Sequence, residues 1–191
     1  MRIVGGTLRG RKLLTPEDQA IRPTADRVRQ SVFNILAHGI GDFDIAGTRV
    51  IDLFAGTGAM GLEALSRGAS FCLFVDDSAA SRGLVRSNAD ALGLTGQTRL
   101  FRRDATRLGP SSAGRFNLAF LDPPYGKGLA EKTSAELRDG GWLEEGAVLV
   151  VEESEGGFRD VPIGYTLVDR RGYGDTEVTF LRFHSDAGED S

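Results

Sequence analysis

The chain has 191 residues, a formal net charge of −4, 40% hydrophobic and 26% charged residues, which is the composition of one folded globular domain. Its longest strongly apolar runs, Phe71 to Val75 and Ala147 to Val151, are about five residues each, against the roughly 20 that a membrane-spanning helix needs, so no such helix is expected. A single cysteine, Cys72, excludes an internal disulfide, and "MRIVGGTLRGRKLL" lacks the apolar stretch of a secretory signal; both point to the cytoplasm.

Residues 1 to 14 set short apolar pieces (Ile3, Val4; Leu13, Leu14) around "GGTLRG", which predicts a small hairpin-like β element. A loop with Pro16 and Pro23 follows. From Thr24, "TADRVRQSVFNILAHG" puts Val28, Val32, Phe33, Ile35 and Leu36 on one helical face, with Thr24 as N-cap and Gly39 as the stop. Residues 1 to 38 hold seven Lys or Arg against three acids, a charge of +4, and the rest of the chain holds 16 against 24, a charge of −8. A basic arm on an acidic body fits local contact with a polyanion, since phosphate contacts are short-ranged and salt-screened. Arg9, Arg11, Lys12, Arg22 and Arg29 are the candidate contacts; Arg27 is left out of that set, its place between cap and apolar face leaving RNA contact and a structural role both open.

After Gly47 the pattern becomes strand, then glycine or acid, then amphipathic helix. "RVIDLF" (49–54) leads to "AMGLEALSRG" (59–68), and "FCLFVD" (71–76) to "AASRGLVRSNADALG" (79–93). "TRLFRRD" (98–104) and "FNLAFLD" (116–122) each end on an acid, and "AVLVVEE" (147–153) follows the segment 129–138. Such alternation predicts an α/β fold with a doubly wound parallel sheet. "YTLVDRRGYGDTEVTFLRF" (165–183) reads as an antiparallel strand pair around a Gly-Tyr-Gly-Asp turn. The expected organisation is an arm over 1–40, a body over 41–184 and a disordered tail over 185–191.

"DLFAGTGAMG" (52–61) lies between a predicted strand and a predicted helix, where a glycine turn brings backbone N–H groups close to a ligand. Gly56, Gly58 and Gly61 spell GxGxxG. Asp52 before that turn repels phosphate and favours a cationic or amine-bearing ligand such as S-adenosylmethionine. Asp76 ends the next strand, where a carboxylate accepts ribose hydroxyls. Asp104 ends the third and can accept from an adenine amine, with the Ala105 N–H beside it. In "LAFLDPPYGKG" (118–128), Pro123 and Pro124 stop a buried strand and leave Asp122 at its carboxyl end, beside Tyr125.

These residues resemble a known family. "DLFAGTGAMGLEALSRGA", "LDPPYGKG", "RIVGGTLRGRKL" and "RPTADRVRQSVFNIL" look like the bacterial RsmD-type methyltransferases, which modify the N2 amine of a guanine in small-subunit (16S) ribosomal RNA. The resemblance runs from Arg2 to about Phe183. It implies a Rossmann-like class I methyltransferase fold that uses S-adenosyl-L-methionine, acts as a monomer without a metal ion, and meets its RNA in the small subunit or an assembly intermediate. By position, Asp52, Gly56 and Gly58 would take the methionine end, Asp76 or its neighbour Asp77 the ribose, Asp104 with Ala105 the adenine, with Phe54 and Thr57 as further cofactor contacts, and Asp122, Pro123, Pro124 and Tyr125 the target base. The ribose acid is usually Glu and is Asp76 here. The motif's aromatic is often Phe and is Tyr125 here.

The amine of guanine is a poor nucleophile, because its lone pair is delocalised into the ring. Catalysis must then hold the nitrogen in line with the methyl group while Asp122 and the Pro123 carbonyl accept its hydrogens, and Tyr125 stacks on a flipped base. Three alternatives compete: a DNA adenine-N6 methyltransferase, disfavoured by the basic arm and the lack of a target-recognition domain; an NAD-dependent oxidoreductase, disfavoured by Asp52; and a non-catalytic ribosome-assembly factor, disfavoured by the intact DPPY.

Overall fold

The computed structural model describes residues 1–16 and 23–185, with the side chains of Pro23 and Thr24 excepted. Its elements are α1 (Pro23–His38), β1 (Arg49–Leu53), α2 (Ala59–Ser66), β2 (Phe71–Val75), α3 (Ala79–Leu92), β3 (Thr98–Phe101), β4 (Phe116–Leu121), α4 (Leu129–Asp139), β5 (Leu143–Ser154), β6 (Tyr165–Tyr173) and β7 (Thr176–Phe183). The seven strands form one sheet in the order β3-β2-β1-β4-β5-β7-β6. β1 to β5 are parallel, and β7 runs antiparallel between β5 and β6. The chain winds outward from β1 in one direction through β2 and β3, then returns to β4 on the other side. The carboxyl ends of β1 and β4 therefore flank the switch point, where such sheets bind ligands.

The apolar runs are buried on both faces, as parallel strands require. Because strand side chains alternate, Val50, Cys72, Phe74, Leu118, Phe120, Val148 and Val150 fall on one face, against Val32, Phe33 and Leu36 of α1, Leu62 and Leu65 of α2, and Val85 and Ala89 of α3. Ile51, Leu53, Leu73, Val75, Ala119, Leu121, Leu149 and Val151 fall on the other, with Leu137 of α4, Trp142 and Phe158. Phe33 meets Phe120 with ring centroids 5.6 Å apart. Each such fully buried side chain contributes roughly 1.5–3 kcal/mol of transfer free energy, so the first face also fixes where α1 and the arm sit.

Residues 1 to 13 fold back on themselves around one antiparallel bridge, Arg2 with Lys12, with the Ile3 N–H donating to the Arg11 carbonyl at 2.9 Å, the Leu13 N–H to the Met1 carbonyl at 3.1 Å and the Gly10 N–H to the Ile3 carbonyl at 2.8 Å. The end of α2 holds this element against the body. Thr7 N–H donates to the Ser66 carbonyl at 2.8 Å, Leu8 N–H to Ser66 Oγ at 3.0 Å and Val4 N–H to Glu63 at 2.9 Å. Gly6 permits this approach, since a Cβ there would lie 2.0 Å from the Ser66 carbonyl oxygen. Two local features differ from the sequence reading. First, α1 begins at Pro23, not after a cap at Thr24; proline suits a first helical position because its missing N–H would be unsatisfied anyway. Second, β5 starts at Leu143, four residues before the apolar run that predicted it. In the C-terminal pair, Tyr173 and Thr176 face each other across a two-residue connection in which Gly174 has φ 63°. Of the expected tail, Ser185 donates its backbone N–H to Glu145 at 2.6 Å, and residues 186–191 lie outside the described residues.

Candidate functional site

The turn from β1 into α2 is built for close approach. Gly56 and Gly58 have φ 57° and 78°, values that glycine adopts without penalty. A Cβ on Gly61 would lie 2.5 Å from Cys72 Sγ and from the Phe74 ring, so this glycine lets α2 seat against β2. Phe54 is the single non-glycine residue with positive φ, 59°, among the described residues, and such strain gathers at ligand sites.

Asp52 is not at the end of its strand, as the sequence reading placed it, but one residue inside, 3% exposed. Its Oδ2 accepts the Gly61 N–H at 2.9 Å from beneath the turn. Burial pushes its pKa up to about 7, against the pull of that N–H and with the help of Asp76. Asp76 follows β2, and its two oxygens accept the Gly56 N–H at 3.0 Å and the Ser78 N–H at 2.9 Å. Asp76 thus holds the turn from its outer side, with exposed Asp77 beside it.

A small open pocket is lined by Phe54, Val75, Asp76, Asp77, Arg103, Asp104 and Ala105. It gathers in one hollow the residues expected at ribose and adenine. Asp104 stands three residues past β3, and its Oδ1 accepts from the Thr106 N–H at 2.8 Å and hydroxyl at 2.7 Å. Those bonds, the hydroxyl's first, hold its carboxyl below the usual range.

Asp122 immediately follows β4. It is exposed to solvent at the sheet edge. Partial desolvation by the protein beside it, reinforced by Glu152, Asp52 and Glu153, raises its pKa above the ordinary carboxylate range. Pro123 behind it is buried and Pro124 is exposed. Tyr125 leaves 42% of its surface open while its hydroxyl donates to Glu152 Oε1 at 3.1 Å and lies 3.2 Å from Thr176 Oγ1. Burial of the hydroxyl end pushes its pKa to about 12. The result is a ring anchored at its tip with an open face. Past it, the Gly126 N–H donates to buried Glu153 at 3.1 Å.

Sequence reasoning missed Glu152 and Glu153. The signal was the "EE" that closes the β5 run, but their value depends on register: Leu121 pairs with Val151, so Glu152 stands beside Asp122 on the neighbouring strand. Asp52, Asp76, Asp122 and Glu152 share the parity of Val50, Phe74, Phe120 and Val150, and therefore one face of the sheet at its carboxyl edge. Among the described residues, none of the four has a salt-bridge partner. A strip of crowded, unneutralised carboxylates suits a cation.

The arm requires one exchange. Arg29, expected on RNA, is 4% exposed and bonds Glu63 at 3.3 Å, Asp26 at 2.9 Å and the Arg2 carbonyl. It is a buried anchor, because it projects from the same face as Val32, Phe33 and Leu36. Arg27, left open between a structural role and RNA contact, is exposed and lines a cleft with Arg2, Arg9 and Gln30. Arg9, Arg11 and Lys12 are exposed, with Arg11 also donating to the Ala91 carbonyl at 2.6 Å. Arg22 lies outside the described residues.

The profile of the family described as "Conserved hypothetical protein 95" matches residues 1–182. The chain is 40% identical over 169 residues to ribosomal RNA small subunit methyltransferase D of Escherichia coli K12, covering 87% of this chain and 82% of that protein. It is 30% identical over 174 residues to the protein of the same name from Haemophilus influenzae, covering 90% and 88%. The solved structure of yhhF from Escherichia coli matches with TM-score 0.84 at 33% identity, covering 97% of this chain and 99% of that one.

Proposed function

The chain belongs to the RsmD family of methyltransferases, and from that premise we propose that it transfers a methyl group from S-adenosylmethionine to the N2 amine of a guanine in small-subunit ribosomal RNA. The observation that carries this reading is the carboxylate strip beside the open ring of Tyr125, a cation site and a base-stacking surface side by side. When bound, S-adenosylmethionine supplies an electrophilic methyl on a sulfonium centre. Asp52 and the Gly56–Gly58 turn would hold its methionine end, Asp76 and Asp77 its ribose, and Phe54, Asp104 and Ala105 its adenine.

The protein's own contribution is placement. Tyr125, fixed through its hydroxyl, stacks the flipped base. Asp122 and the Pro123 carbonyl accept the two N2 hydrogens and aim the nitrogen lone pair at the methyl group, which replaces solvent disorder with a fixed line of attack. As the N–C bond forms and the S–C bond breaks, the amine becomes cationic and releases one proton. Asp122, its pKa raised among neighbouring acids, is placed to take that proton. The arm, through Arg9, Arg11, Lys12 and Arg27, holds RNA phosphates. The protein works in the cytoplasm as a monomer on the small subunit or its precursor.

The test is transfer of radiolabelled methyl to naked small-subunit RNA and to assembled particles. Asp122→Ala is expected to bind S-adenosylmethionine normally in calorimetry and to lose transfer. Turnover within about tenfold of the parent, roughly 1.4 kcal/mol of barrier, would remove Asp122 from the chemistry.

A further inference from the structure

The carboxylate strip continues past the amine acceptor. Asp76 just past β2 and Asp52 on β1 lie on the side of Asp122 given to the cofactor, and Glu152 on β5 lies on the other. Glu152 is half-buried, on the same sheet face as Asp122 and one strand away, a spacing of roughly 4.8 Å between backbones. Its Oε1 accepts the Tyr125 hydroxyl at 3.1 Å, and among the described residues nothing hydrogen-bonds to its Oε2. A carboxylate oxygen is thus left without a partner on the side chain that anchors the Tyr125 ring.

We propose that Glu152 selects guanine by accepting the N1–H of the flipped base while Asp122 accepts from N2; this rests on the reading that guanine N2 is the target. The chemistry is that of the Watson–Crick edge, which enzymes working on flipped bases read through hydrogen bonds. In guanine, N1–H and the N2 amine flank C2 and present donors side by side. Two acidic acceptors on adjacent strands complement that pair. A purine with a lone pair at N1 turns acceptor toward acceptor and leaves a half-buried carboxylate without its partner, the arrangement by which polar sites reject an analogue most strongly. Glu152 also fixes Tyr125, so stacking surface and edge reader are set by one side chain.

The discriminating probe is 2-aminopurine, which keeps the exocyclic N2 amine but has a lone pair at N1. A synthetic segment carrying it at the mapped methylation position is ligated into small-subunit RNA and assembled into particles, beside a guanine control. The wild type is expected to prefer guanine by about 100-fold or more in kcat/KM. E152Q, whose amide can donate to N1, is expected to narrow that preference at least about tenfold while its affinity for S-adenosylhomocysteine stays within about twofold of the parent. Y125F, which cuts the link between ring and carboxylate, is expected to keep the parent's preference whatever its rate. An equal preference in wild type and E152Q overturns the proposal, and so does a Y125F variant that loses the preference as E152Q does, since Glu152 would then act through the tyrosine alone. A wild type that methylates neither RNA overturns the guanine-N2 reading itself, a failure visible before any variant is compared.

Discussion

Asp52→Asn tests whether a buried carboxylate is held under the glycine turn at a cost to the folded protein. Asp52 is 3% exposed, with the Gly61 N–H at 2.9 Å as its hydrogen-bond donor. Burial, opposed by that N–H and aided by Asp76, moves its pKa from 3.8 to about 7. The folded state therefore binds the proton more tightly than the unfolded chain. That contribution to stability is complete below about pH 4 and is lost as pH rises to 7, a span worth at most about 4 kcal/mol. About 3 kcal/mol of the loss falls between pH 5 and pH 8. Asparagine keeps the volume, can accept from Gly61 through its amide oxygen, and carries no charge. The stability of the variant relative to the parent should therefore move by about 3 kcal/mol in the variant's favour from pH 5 to pH 8, measured by urea unfolding of the cofactor-free proteins. Taking the difference cancels the titration of groups remote from Asp52; Asp122, whose pKa Asp52 helps to raise, moves in the same direction when that charge is removed. A difference that stays flat within about 0.5 kcal/mol refutes the claim that burial sets this carboxylate's pKa. The same variant should lose cofactor affinity, because the charge that destabilises the empty fold is the one that attracts the sulfonium and amine; an unchanged affinity removes Asp52 from the cofactor site.

Gly61→Ala drives a methyl into Cys72 Sγ and Phe74 at 2.5 Å, so thermal unfolding should show a loss of about 1–3 kcal/mol, and cofactor affinity should fall as α2 shifts away from β2. Arg29→Met leaves Glu63 buried with one guanidinium fewer and should cost about 3–5 kcal/mol in denaturant unfolding, whereas Arg27→Met, at an exposed site, should stay within about 0.5 kcal/mol. Neutralising Arg9, Arg11, Lys12 and Arg27 in turn should weaken RNA binding and flatten its salt dependence by somewhat under about one unit of log–log slope per lost phosphate contact, with cofactor affinity unchanged. If slope and affinity both match the parent, the arm is only a solvated face.

How much of this was legible depends on whether the signal was local. Strands β2, β4 and β5 carry apolar runs (Phe71–Val75, Leu118–Leu121, Ala147–Val151) because both faces of a parallel sheet are covered, so their existence follows from the sequence. The acids that punctuate them were legible for the same reason, since a charge cannot continue such a run. Arg29 was also legible, though it was assigned to the wrong surface. It precedes Val32, Phe33 and Leu36 by three, four and seven positions, the spacing of a single helical face, and that face is the buried one. Arg27 stands off it. Glu152 was not legible, because an acid closing an apolar strand looks the same whether it faces solvent or a neighbour. Its meaning comes from the pairing of Leu121 with Val151, a contact between positions 30 residues apart that local pattern does not encode. Glu63 was hidden by the opposite effect: α2 is buried from Gly61 through Ser66, so no polar face separates a structural acid from a solvated one.

That helix joins the basic arm, proposed to hold RNA, to the glycine turn, proposed to hold the cofactor. Gly58 stands at its N-terminal end. Glu63, less than two turns on, accepts the Val4 N–H at 2.9 Å, Arg29 Nε at 3.3 Å and Arg67 Nε at 2.8 Å. The Ser66 carbonyl at the far end receives the Thr7 N–H. On α3, Asn88 accepts the Leu14 N–H at 2.7 Å and donates to the carbonyls of Leu14 and Thr57, at 3.1 and 3.0 Å, which ties the end of the arm to the middle of the glycine turn. Eight helical residues span about 12 Å, so the basic groups at Arg9, Arg11 and Lys12 and the turn that receives the cofactor are mounted on one short rigid piece. An RNA seated on the arm meets the Asp122 edge at a distance fixed by the fold, which is how remote phosphate contacts can raise the rate of transfer at a base the arm never touches.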